Sequence, residues 1–66
     1  MYYVVEITKT ETEARALYAY TDKTRALAKY HDTLGYAMKL DTVEYCLCMI
    51  IDGTGNVIAC EKYVAE

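Results

Sequence analysis

The chain has 66 residues, seven Lys and Arg against ten Asp and Glu, and a formal net charge of −3. That length allows one small α+β domain, residues 1–66, with two packed layers as its ceiling. Acids and bases are interspersed, which disfavours a nucleic-acid binder, because phosphate recognition gathers positive charge on one face. No span approaches the length that crosses a bilayer.

Tyr2 to Thr8, YYVVEIT, is rich in β-branched and aromatic residues and reads as a first strand. Its period of two puts Tyr3, Val5 and Ile7 on one face and Tyr2, Val4 and Glu6 on the other. The opening MYYVVEI carries an acid and is too short for the apolar region of a leader peptide. Lys9 to Glu13 is polar and reads as a turn.

Ala14 to Tyr20, ARALYAY, fits two patterns. Ala, Arg and Leu favour helix. The strand reading, with Ala16, Tyr18 and Tyr20 on one face, is preferred for two reasons. Thr21-Asp22-Lys23-Thr24 supplies a break and a fresh N-cap, and a helix running from 12 to 39 would be long for so small a domain.

Asp22 or Thr21 then caps a helix that runs to about Lys39. Ala26, Leu27, Tyr30, Leu34, Ala37 and Met38 recur at the spacing of one buried stripe. Lys39 suits the negative pole at the helix end. Gly35 costs roughly 1 kcal/mol against Ala, and it either permits close approach to a sheet or is simply tolerated. Leu40, Asp41 and Thr42 form the connection onward.

Val43 to Val64 reads as a β-hairpin around the turn Asp52-Gly53-Thr54-Gly55-Asn56. Asp52 starts the turn through its carboxylate, and Gly55 takes the left-handed position of a three-residue loop with a G1 bulge. Uninterrupted pairing then sets Ile51 opposite Val57, Met49 opposite Ala59, Leu47 opposite Glu61 and Tyr45 opposite Tyr63. The other face sets Ile50 opposite Ile58, Cys48 opposite Cys60 and Cys46 opposite Lys62. One face would carry Val43, Tyr45, Leu47, Met49, Ile51, Val57, Ala59 and Tyr63. The other would carry all three cysteines with Ile50, Ile58 and Val64. Both are largely apolar, whereas a sheet covered on one side shows one dry face and one wet face.

The expected fold is ββαββ, a four-stranded, mostly antiparallel sheet with one helix packed on one face. A helix is about 10 Å wide, and four strands at about 4.8 Å spacing are wider. The bare face is therefore expected to be buried by a second copy, sheet on sheet or edge to edge. The candidate interface residues are Tyr45, Leu47, Met49, Val57 and Tyr63.

The three cysteines are read first as small buried hydrophobes beside the helix. A cross-strand Cys48–Cys60 disulfide, a zinc site completed by His31 and a redox thiol are the alternatives. His31 is read as a helix-surface residue. There is no Ser, which excludes a serine nucleophile. The Asp52 turn lacks the ligand spacing of a calcium loop, and Gly53 and Gly55 lack the Lys and hydroxyl of a phosphate loop.

The sequence therefore points to a non-enzymatic, self-associating protein-interaction module that forms a homodimer in a reducing cytoplasm, with no cofactor and no metal. A further protein partner stays open, and nucleic acid and membrane are disfavoured. The eight tyrosines either fill the place of the absent Phe and Trp or serve an interface. They motivate the alternative of a small nucleic-acid-associated accessory protein that stacks bases on a Tyr-rich sheet face. A minor enzyme or thiol-dependent sensor is the third reading.

Overall fold

The computed structural model describes residues 1–65, with strands β1 (Tyr2–Lys9) and β2 (Glu13–Tyr20), helix α1 (Lys23–Lys39), and strands β3 (Tyr45–Asp52) and β4 (Val57–Val64). The four strands form one sheet in the order β2-β1-β3-β4, and every neighbouring pair is antiparallel. Both β2 and β3 oppose β1, so they run in the same direction, and α1 is the crossover that carries the chain past β1. The helix packs chiefly over the two central strands, β1 and β3. The expected ββαββ architecture is the one the chain adopts.

Ala14 to Tyr20 is strand. Each residue of β2 finds a partner on β1, from Tyr2 opposite Tyr20 to Lys9 opposite Glu13. That ladder outweighs the helical preference of Ala, Arg and Leu. The helix begins afresh at Asp22, which has extended backbone and accepts a hydrogen bond on its carboxylate from the Thr24 N–H at 2.9 Å.

Ala26, Tyr30, Leu34 and Ala37 form the buried stripe of α1. Leu27 lies half-buried at its margin. Met38 is corrected out of the stripe: it is 56% exposed, because it falls beyond the arc that reaches the sheet. Beneath the stripe lie Val4, Cys46, Cys48 and Ile50, each with no accessible surface. Gly35 gives no close approach, since a Cβ there would meet nothing within 4 Å. Gly35→Ala is therefore expected to stabilise the fold by about 1 kcal/mol, read as a raised urea midpoint at unchanged slope.

The hairpin turn forms as its sequence predicts. Asp52 N–H donates to Asn56 O at 2.9 Å, Gly55 N–H donates to Asp52 O at 3.1 Å, and Gly55 has φ +91. The Asp52 carboxylate accepts from the Thr54 hydroxyl at 2.7 Å and from the Thr54 and Asn56 N–H groups. These donors, the Thr54 hydroxyl first, hold its pKa below the usual carboxylate range.

The register beyond the turn differs from the sequence reading. Ile51 does pair with Val57, but Ile50 then pairs with Ala59, so Ile58 is the extra residue of a bulge. Every later side chain on β4 changes face. Cys46 now faces Tyr63, Cys48 faces Glu61 and Met49 faces Cys60. Two contacts fit this choice. Tyr63 packs against the core, and Lys62 leaves the helix side to sit over the Tyr45 ring, 5.4 Å from its centroid.

Candidate functional site

The ladder places side chains on the open face in cross-strand rows. Ala19, Tyr3, Ile51 and Val57 make the first row, and Leu17, Val5, Met49 and Cys60 the second. Arg15, Ile7, Leu47 and Lys62 make the third, and Glu13, Lys9, Tyr45 and Val64 the fourth. The first two rows carry no charge. The third holds its charges only on the edge strands, with Ile7 and Leu47 between them.

The fourth row is a polar end. The Tyr45 hydroxyl reaches past Lys9 and donates to Glu13 Oε2, Arg15 Nη2 lies 2.7 Å from Glu13 Oε1, and Lys9 Nζ lies 3.2 Å from Glu44. The bond from Tyr45, then Arg15, holds the Glu13 carboxyl low, and the same bond pushes the Tyr45 hydroxyl up.

Of the five interface candidates, Tyr45, Leu47, Met49 and Val57 share this face. Tyr63 does not: the Ile58 bulge turns it to the helix side, against the core. Val43, which strict alternation would set beside Tyr45, lies in the connection before β3 and is buried at 2% exposure. The face also contains Tyr3, Val5 and Ile7 of β1 and Leu17 of β2, which the hairpin alone could not supply. Their own alternation was visible. What was missing was the pairing of β1 with β3, a long-range choice.

The cysteines separate. Cys46 and Cys48 are buried in the core, and Cys60 is exposed on the open face. Cys48 and Cys60 therefore point to opposite sides of the sheet, which removes the geometry of a Cys48–Cys60 bridge and of a three-thiol cluster. Burial, reinforced by the Glu6 carboxylate, pushes the Cys48 thiol up to about 12, so it stays protonated and unreactive at neutral pH. His31 is exposed on α1 and meets the edge of the Tyr30 ring, with centroids 5.1 Å apart. Among the described residues no group of three or more His, Cys, Asp and Glu side chains is placed to hold a metal ion.

A second feature lies on the helix side. A cleft of about 440 Å³ opens between the latter half of α1 and the end of β1. Glu6 stands in it, only 9% exposed. The Thr33 hydroxyl donates to Glu6 Oε2, and Lys29 Nζ lies 3.7 Å from the same oxygen. Lys29 also sits over the Tyr18 ring, 4.4 Å from its centroid. Lys29, Thr33 and Tyr36 form a second stripe on α1 beside the buried one, and this stripe walls the cleft. The sequence signal was a lone acid on the core face of an apolar strand, which folding can bury only beside partners.

Comparison with protein-family models, with curated proteins and with solved structures finds no match to this chain. Among the described residues no helix is long and apolar enough to cross a membrane.

Proposed function

We propose that the chain is a non-enzymatic interaction module that dimerises by stacking its open sheet face on the same face of a second copy. The observation that carries this reading is the continuous apolar surface of the first three rows. Leu17 and Val57, at 65% and 59% exposed, lie at its margins. The largest apolar patch on a typical monomer is about 300–600 Å² and is often functional. Four strands at about 4.8 Å spacing and six residues at about 3.3 Å rise give these three rows roughly 400 Å² in projection. With the polar fourth row the face approaches the ~800 Å² that each partner buries in a standard interface to within a factor of about two.

The rim suits a second copy of the same chain. It carries Arg15, Lys62 and Lys9 together with Glu13 and Glu44, so opposite signs can meet across a two-fold axis. A rim of one sign would repel its own copy. The edges suit pairing less well. β4 carries the Ile58 bulge and Lys62, and β2 carries Glu13 and Arg15, features that blunt strand-to-strand addition. Sheet-on-sheet stacking is therefore preferred over a continuous sheet.

The nucleic-acid alternative needed a Tyr-rich sheet face. Only Tyr3 and Tyr45 of the eight tyrosines stand on the open face, which leaves that reading with little to stack bases on. Free thiols in the core suit a reducing, cytoplasmic setting.

Cys60, in the second row, is a built-in reporter of the stacking. In dilute native protein only Cys60 of the three thiols is expected to react with a thiol-specific reagent. Its rate should then fall as protein concentration rises and the face is covered. A Cys60 rate independent of concentration would count against the stacked dimer.

A further inference from the structure

The cleft under α1 lies on the side of the sheet away from the proposed dimer face, and its chemistry is specific. Its volume, about 440 Å³, falls within the range of small-molecule sites, which are mainly apolar with a few convergent polar groups. Val43, Ala37 and Leu40 supply apolar lining. Beside the Glu6 carboxylate, two of the lining hydroxyls have already given their hydrogens away. The Thr33 hydroxyl gives its hydrogen to Glu6 Oε2, and the Thr8 hydroxyl gives its hydrogen to Cys46 Sγ at 3.6 Å. Glu6 Oε2 accepts from Thr33 and has Lys29 Nζ 3.7 Å away as an ion pair beyond hydrogen-bond distance, while Glu6 Oε1 accepts no hydrogen bond among the described residues. No buried side-chain polar atom among those residues is left without a partner, so Oε1 is not sealed away.

Lys29 is the one cation of the lining, and it is committed to Glu6 on one side and to the Tyr18 ring on the other. Asp32 adds a second carboxylate, and the exposed Tyr36 ring offers a π-face. Such a lining asks for a ligand that donates and carries positive charge, with an apolar body for the rest of the cleft. An anionic ligand would face the two carboxylates Glu6 and Asp32 against the single cation Lys29, which already stands beside Glu6.

We propose that this cleft binds a small organic ammonium, a primary amine on a short apolar chain, with Glu6 Oε1 accepting from the ammonium group. The contact needs no rearrangement of the pairs that already hold Glu6.

The test is a titration of the full chain, labelled with nitrogen-15, with hexylamine, hexanol and hexanoate, followed by amide chemical shifts. Hexylamine is expected to give saturable shifts at Thr8, Thr10, Thr33 and Ala37 and to bind at least about tenfold more tightly than hexanoate, a difference of about 1.4 kcal/mol. Glu6→Gln, close in shape, is expected to bring amine and alcohol binding to within a few-fold of each other. Equal binding of hexylamine and hexanoate to the native chain, shifts confined to Leu17, Met49 and their open-face neighbours, or no saturation would overturn the proposal. The native comparison decides this without the variant. It is also independent of dimerisation, which concerns the opposite face.

Discussion

Replacing Met49 by Glu is expected to give a folded monomer at concentrations where the proposed dimer of the native chain forms. Met49 sits in the middle of the open face, between Val5 and Cys60 on its neighbouring strands. In the monomer a carboxylate there is half in water, and Lys62 and Arg15 in the next row are of opposite sign. In a stacked dimer the same carboxylate is enclosed by apolar side chains and faces its symmetry mate. An unpaired buried charge costs about 3–5 kcal/mol, which corresponds to a loss of affinity of more than about a hundredfold. Circular dichroism should show the native sheet and helix, and the urea midpoint of dilute protein should move little. Tyr63→Glu supplies the contrast. Its site lies on the helix side against the core, so it should lower the midpoint directly.

Ile50→Ala is expected to remove a large share of the protein's stability. Ile50 has no accessible surface and stands between Val4 and Ala59 beneath the helix. Truncating a buried Ile to Ala costs about 2–5 kcal/mol, from lost transfer energy and the cavity left behind. At about 0.05–0.15 kcal/mol per residue, a chain of this size holds roughly 3–10 kcal/mol in total. The substitution therefore removes a large share of the stability. Val57→Ala removes two carbons, against three at Ile50, at a site 59% exposed, and in dilute protein it should stay within about 0.5 kcal/mol. Urea midpoints of the two variants separate core from open face without reference to dimerisation.

Much of the fold was legible because its signals are local. Asp22 as a cap, the Ala26-Tyr30-Leu34-Ala37 stripe and the Asp52–Asn56 turn each depend on residues within a few positions of one another. The Ala14–Tyr20 segment needed an argument about breaks and lengths, because composition alone pointed towards helix. The bulge at Ile58 carried no such signal. No Gly or Pro marks it, and both registers offer an apolar pattern. What favours the observed one is distant: a place for the Tyr63 ring against the core and for Lys62 over the Tyr45 ring. That single inserted residue moved Cys60 and Tyr63 to opposite faces from those expected.

The open face was legible as a surplus of apolar residues, though its membership was only half visible. Tyr45, Leu47, Met49 and Val57 come from the hairpin. Tyr3, Val5, Ile7 and Leu17 join them only once β1 is known to lie against β3. The cleft was not legible at all. Glu6 is an acid in an apolar strand, but its partners Lys29 and Thr33 lie more than twenty positions away on the helix. Their meeting depends on how α1 crosses the sheet.

Sedimentation equilibrium of the native chain, from micromolar to millimolar concentration, decides whether two open faces stack. The stacked dimer requires a reversible rise from the 7.5 kDa monomer to twice that mass, abolished over the same range by Met49→Glu. A single 7.5 kDa species at every concentration would contradict it.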